Sequence, residues 1–490
     1  AHWEIQGWMI LILGWVFVPF YSRSMVYTMP EFLERRYNPQ SRTILSVISL
    51  VSYVLTKVAV TVYAGGLVFQ QVFGIKELWG IDFFWIAAIG LVVLTALYTI
   101  FGGMKSVLYT SVLQTPILLL GSLIILVLGF KELGGWDEMM RVCGAVTVND
   151  YGDTMTNLIR SNDDANFPWL GALIGSAIIG FWYWCTDQFI VQRVLSGKNE
   201  MEARRGTIFG AYLKLLPVFL FLIPGMIAFA LHQKYIGAGG EGFLPMLENG
   251  TANADAAFPT LVAKLLPAGV KGLVVCGILA ALMSSLASLF NSSAMLFTID
   301  FYKRFRPQTS EKKLVGIGQV ATVVIVILGI LWIPIMRSVG DVLYTYLQDV
   351  QSVLAPGIAA AFLLGICWKR TSAQGGMWGL ISGMVIGLTR LGAKVYYSNA
   401  GEVADSTFKY LFYDMNWLFF CGWMFLFCII VVIVVSLATE APTAEKIQGL
   451  VFGTATKEQK ASTRASWNHW DIIHTVIILA ITAAFYWYFW

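Results

Sequence analysis

The sequence predicts an all-α membrane protein of about twelve spans, on three observations: its composition, its apolar runs and the charge of the loops between them. Hydrophobic residues make up 57% of the 490 positions and charged residues 13%, against roughly 45–50% and about 25% in a soluble domain. An excess of this kind belongs to a surface that faces lipid. A helix crosses a hydrocarbon core of about 30 Å with roughly 20 apolar residues. Twelve segments meet that requirement, near 5–22, 44–72, 81–101, 108–130, 169–190, 207–231, 260–300, 314–336, 344–367, 375–396, 411–437 and 472–489. The stretch 260–300 exceeds one span, so one of its ends is expected outside the membrane.

The loops alternate in charge. Arg23, Arg35, Arg36 and Arg42 follow the first segment. Arg193, Lys198, Arg204 and Arg205 follow the fifth, Lys303, Arg304 and Arg306 the seventh, and Lys369 and Arg370 the ninth. Between them, 131–167 carries Asp137, Glu138, Asp150, Asp153, Asp163 and Asp164, and 232–259 carries Glu241, Glu248 and Asp255. Loops rich in Lys and Arg stay cytoplasmic, which places both ends of the sequence outside. Residue 1 stands almost at the start of a segment, so N-terminal helices are expected to be missing from the sequence, in even number.

Several functions are disfavoured at once. A net charge of +4, with no basic run interleaved with aromatics, gives no sign of a nucleic-acid partner. Cys143, Cys185, Cys276, Cys367, Cys421 and Cys428 lack metal-ligand spacing, and five of them sit in apolar stretches as small hydrophobes. His2, His232, His469 and His474 all lie away from mid-span, against a membrane haem site. No Gly-rich Lys-Ser/Thr loop signals ATP as a drive. An enzyme is not expected.

Polar residues inside the segments carry the functional signal, because a Lys at the centre of a span costs roughly 2.5–3.5 kcal/mol on insertion scales. Lys57 stands about 20 Å along the axis from Ile44 at about 1.5 Å per residue, too deep to snorkel comfortably; Lys214 is nearer its end. A structural ion pair is the bland alternative for both. The string Trp182-Tyr183-Trp184-Cys185-Thr186-Asp187-Gln188 follows Gly171, Gly175 and Gly180. Glycines let a transporter helix open and line a cavity. Aromatic faces beside polar tips suit a sugar, whose C–H faces stack while its hydroxyls seek hydrogen bonds; an interfacial aromatic belt is the alternative. Ala281, Ser284 and Ser285 share one helical face by their spacing and offer oxygens to Na⁺, or else a small-residue packing stripe. Gln348, in Tyr344-Thr345-Tyr346-Leu347-Gln348-Asp349, donates and accepts at once, as a diol requires.

Together these motifs resemble the sodium/solute symporter family, and within it the sodium/glucose cotransporters. The similarity runs over essentially the whole chain: Tyr27 to Phe32, Thr56-Lys57, Ala96 to Ile100, Trp182 to Gln188 with Gln192-Arg193, Tyr212 to Leu215, Met283 to Ser288, Phe297 to Tyr302 and Phe362 to Arg370. The resemblance implies a leucine-transporter-type fold of two inverted five-helix repeats. Residues 1–130 would form the first repeat without its leading helix, 131–167 an extracellular loop, 168–368 the second repeat and 369–490 accessory helices. It further implies that Gln348 and Lys214 contact the sugar, that Tyr183 is an aromatic gate with Trp184 flanking it, and that Lys57 matches the lysine of glucose-type members. Ala281 by its carbonyl, and Ser284 and Ser285 by their hydroxyls, match a sodium site.

The chain also departs from the family pattern. The sugar-binding glutamate falls on Trp3 unless a one-residue gap restores it at Glu4. Gly180 stands where a polar contact is expected. Ser111 replaces the Asp that follows Thr in glucose-type members, which puts a second cation site in doubt. The reading is therefore sodium-coupled symport of a hexose of glucose or galactose type, with a small-molecule sugar, Na⁺ and the bilayer as partners. The alternatives are symport of inositol, a sialic acid or a carboxylate, or a non-transporting sugar sensor. Short loops point to a multi-pass protein of a bacterial inner membrane, and a monomer is expected.

Overall fold

The computed structural model describes residues 2, 4–247, 250–339, 342–400 and 404–489, with side chains undescribed at 98, 100–108, 110, 113 and 337–339. Trp3 and Glu248 therefore lie outside the described residues. The principal helices are α1 (Gly7–Ser24), α2 (Met29–Arg36), α3 (Pro39–Phe73), α4 (Phe83–Leu133), α5 (Trp136–Gly144), α6 (Trp169–Thr186), α7 (Gln188–Leu195), α8 (Glu200–Gly237), α9 (Ala257–Leu265), α10 (Ala268–Phe305), α11 (Glu311–Val339), α12 (Leu343–Cys367), α13 (Ala373–Asn399), α14 (Trp417–Ala438), α15 (Lys457–Ala465) and α16 (His469–Tyr488). Among the described residues, nine helices are long and apolar enough to cross a membrane, or ten if the bent pair α1–α2 is one span. All twelve expected segments are mainly helical, with breaks at Asp187, Leu266–Pro267 and Met415–Asn416 and a short strand at Ile81–Asp82.

Local chemistry sets the breaks. Met25 adopts a left-handed φ of 48°. Thr28 then caps α2 by accepting from Glu31 N at 3.2 Å, and α2 leaves α1 at 73°. The long 260–300 stretch divides at Leu266, whose ψ of 133° is extended because the following Pro267 excludes the helical conformation. Apart from Ile81 and Asp82, which form a short strand, the segments 81–101 and 108–130 both fall within α4, whose helical backbone runs unbroken from Phe83 to Leu133. Within it Gln114–Leu133 is long and apolar enough to cross a membrane, and Phe83–Leu97 is a shorter apolar stretch. Ser111 bonds Ser284 on α10, and Leu91 abuts Gly65 on α3.

The core centres on α12, whose most apolar 18-residue stretch is 83% buried. Two apolar clusters flank it. One joins α1, α2 and α6 through Phe17, Phe32, Trp182 and Phe362; the other joins α3, α10 and α14 through Tyr53, Phe290, Val353 and Met424. Expected cytoplasmic arginines hold the inner ends of helices. Buried Arg36 donates from Nε to Gly365 O at 2.7 Å, a carbonyl in the last turn of α12, and from Nη2 to Thr371 O at 3.1 Å in the loop beyond it. Arg42 pairs with Asp300 at 2.6 Å and, through Nη1, with Glu34 at 2.5 Å.

Candidate functional site

The string from Trp182 to Gln188 forms the hinge of the site. α6 is regular to Gly180, widens into a π-turn over Phe181–Thr186, and ends at Asp187, whose ψ of 126° is extended. Of the three glycines, only Gly180 borders the widened turn. Gly171 and Gly175 instead let Leu418 approach, to 3.0 and 2.8 Å of the positions a Cβ would take. Asp187 caps α7 by accepting from Phe189 N at 3.0 Å. Wide turns of this kind recur at functional sites.

Lys57 stands in a second π-turn, Tyr53–Val58, and its Nζ forms an ion pair with Asp187 Oδ2. Tyr53 Oη donates to Asp187 Oδ1 at 2.9 Å. The ammonium lies over Phe189 at 4.4 Å, Tyr53 at 4.7 Å and Tyr183 at 5.0 Å, so aromatic faces surround a buried charge that the carboxylate balances. Gln188 Oε1 accepts from Met29 N at 2.8 Å, which ties the hinge to the start of α2.

Beside this hinge is a cavity of about 240 Å³ lined by Glu4, Gln6, Ile179, Gly180, Tyr183, Trp184, Lys214, Tyr344, Leu347, Gln348 and Gln351. Five sequence-predicted sugar contacts thus converge on it: Glu4, Tyr183, Trp184, Lys214 and Gln348. Lys57 does not line it and meets it only through the ring of Tyr183. Lys214 Nζ pairs with Glu4 Oε2 at 2.7 Å and lies 5.5 Å over Trp184. Gln348 Oε1 is buried without a hydrogen-bond partner among the described residues. Buried polar atoms are nearly always satisfied, so this oxygen is open to a donor that enters the cavity. The arrangement offers one charged pair, carboxamides and two aromatic faces, which suits a neutral polyhydroxylated ring.

The serine face of α10 lies apart from this cavity. Ser284 is buried, and its hydroxyl is 2.6 Å from that of Ser111; Ala281 is half-buried and Ser285 exposed. Ser111 therefore stands beside the hydroxyl matched to sodium. One turn further, Ser288 Oγ accepts from Arg193 Nη2 at 2.7 Å. Sequence reasoning missed Gln6 and Gln351 as lining residues. The spacing of Tyr344, Leu347, Gln348 and Gln351 on one helical face contained the second. Nothing but a buried amide close to Glu4 signalled the first.

Compared with known proteins, residues 3–383 match the Sodium:solute symporter family. The chain is 36% identical to the sodium/mannose cotransporter of Bos taurus, over 98% of this chain and 83% of that protein. It is 36% identical to sodium/myo-inositol cotransporter 2 of Homo sapiens, over 93% and 68%. It is 38% identical to sodium/glucose cotransporter 1 of Ovis aries, over 88% and 67%. A solved Na⁺-coupled sialic acid symporter, in a substrate-bound outward-open state, superposes with a TM-score of 0.68 over 90% of this chain and 84% of that one. At 20% sequence identity that likeness speaks to the fold.

Proposed function

The chain belongs to the sodium:solute symporter family, a multi-pass membrane family with the leucine-transporter-type fold, and on that premise we propose that it carries a hexose of glucose or galactose type, driven by the sodium gradient. The observation that carries the reading is the convergence of the Glu4–Lys214 pair, Tyr183, Trp184 and the unpartnered Gln348 Oε1 on one cavity. A hexose presents a C–H face to Tyr183 and Trp184 while its hydroxyls reach the charged pair and the carboxamide. Gln348 bridges neighbouring hydroxyls, because one amide both donates and accepts.

Sodium is the coupling ion, held by the carbonyl of Ala281 and the hydroxyls of Ser284 and Ser285. Ser111, beside Ser284, offers no anionic oxygen, and a desolvated cation without one is costly to hold; the stoichiometry is one Na⁺ per sugar. One charge moving through 100 mV supplies about 2.3 kcal/mol, enough for roughly fifty-fold accumulation before the concentration gradient adds to it. Residues 1–130 and 168–368 act as the two repeats that rock about the site, in the cell membrane.

A second reading, symport of an inositol, has the support of the 36% identity to a myo-inositol cotransporter and needs the same hydroxyl contacts. Counterflow in proteoliposomes separates the two: labelled glucose, galactose, mannose, myo-inositol and sialic acid are each taken up against the same unlabelled solute inside. Counterflow of glucose or galactose is the expected result. Counterflow of myo-inositol alone gives the substrate to the second reading.

A further inference from the structure

We propose that Gln6 is a specificity-determining residue, presenting Oε1 as an acceptor to one donor hydroxyl of the solute across the bare Cα of Gly180. The inference rests on the reading of this cavity as a polyol site. Gln6 stands just before α1, is 1% exposed, and lines the cavity together with Gly180. Its Nε2 donates to Ser176 O at 3.0 Å. A backbone carbonyl only accepts, so this bond fixes which end of the amide points where. The nitrogen faces α6, and the oxygen is left towards Gly180.

A Cβ at position 180 would lie 2.5 Å from Oε1, closer than contact allows. A side chain on α6 and the amide of Gln6 are thus mutually exclusive occupants of one wall. Here α6 gives up its side chain and the amide enters from the residue that precedes α1. Oε1 accepts no hydrogen bond among the described residues. The polarity of that wall follows: it rewards a substituent that donates and penalises one that cannot.

The specificity consequence is distinct from that of Gln348 or the Glu4–Lys214 pair, which offer donors as well as acceptors. A deoxyfluoro sugar keeps a weak acceptor but loses the proton. At the position facing Gln6 it should behave like the deoxy sugar, whereas at a position facing Lys214 the fluorine keeps part of the interaction.

The test is sodium-driven uptake by the full chain in proteoliposomes, with the transported hexose and its single deoxy and deoxyfluoro analogues, for the wild type, Gln6→Leu and Gly180→Ala. Gln6→Leu should raise KM for the parent sugar by about 2- to 12-fold, the equivalent of one neutral hydrogen bond, with kcat little changed. The penalty for removing one particular hydroxyl should vanish in that variant while the penalties at the other positions persist. Gly180→Ala, whose Cβ displaces Oε1, should abolish the penalty at the same position. The second variant keeps the test decisive should Gln6→Leu fail to fold. A hydroxyl profile unchanged in both variants, or penalties that collapse together at every position, would overturn the assignment. A wild type that takes up no polyol overturns the preceding reading instead and is seen before any variant is made.

Discussion

Asp187→Asn tests whether the hinge is held by charge. The carboxylate side chain is 2% exposed and its partner Lys57 is 9% exposed, so neither charge can turn to water when the other is removed. Asparagine keeps the shape, still accepts from Tyr53 Oη, and is as good an N-cap as aspartate; the substitution therefore isolates the charge. Breaking a buried pair by removing one partner costs about 3–5 kcal/mol, whereas removing both together is often close to neutral. Asp187→Asn and Lys57→Met should each cost about that much, and the double variant less than either. Because Tyr183 rests 5.0 Å from Lys57 Nζ and lines the cavity, both single variants should also raise the KM for sugar. The assay is thermal unfolding of purified protein in detergent across the full double-mutant cycle, with uptake kinetics alongside. Additive losses, with a coupling below about 0.5 kcal/mol, are what independent sites give; that result would show that the pair does not hold the hinge.

Replacing both Ser284 and Ser285 by Ala should raise the Na⁺ concentration needed for half-maximal uptake steeply, since each lost hydroxyl leaves the ion under-coordinated; unchanged Na⁺ dependence would reduce the serine face to packing. Gln348→Ala should weaken sugar binding by about 1–3 kcal/mol through partners left unpaired, read as the apparent affinity in counterflow, and an unaltered affinity would move the sugar elsewhere. His2 bonds Leu158 O at 3.0 Å and Tyr486 Oη at 3.1 Å, and burial, with nearby positive charge, pushes its pKa down to about 4 from 6.5. Between about pH 4 and 6.5 the unfolded chain binds the extra proton, so the stability His2 contributes is complete above pH 6.5 and is lost as pH falls towards 4. The melting temperature of the wild type should therefore drop more on acidification through that window than that of His2→Gln; parallel curves would exclude the histidine as the cause.

Spans were legible because lipid imposes one requirement, length in apolar residues, that a linear scan detects. Family motifs and expensive polar residues coincided at Tyr183, Lys214 and Gln348, and the structure brings these three to one cavity. Lys57 shows the limit. Its depth in a span announced that it needed a partner, and Asp187 was in view, but which charge serves a ligand and which serves another charge depends on packing between α3 and α6. Gln6 shows the same limit from the other side. A single amide near the start of a helix carries no periodicity, and its importance arises only from the missing side chain at Gly180, 174 positions away.

The central claim is that a sodium gradient drives a hexose uphill through this chain. The most direct measurement is the time course of labelled glucose or galactose in proteoliposomes with Na⁺ outside, K⁺ inside and a K⁺-selective ionophore setting a negative interior. The predicted result is a transient overshoot above equilibrium that vanishes when K⁺ replaces the external Na⁺. Uptake that only rises to equilibrium, equally fast with and without Na⁺, would contradict the account.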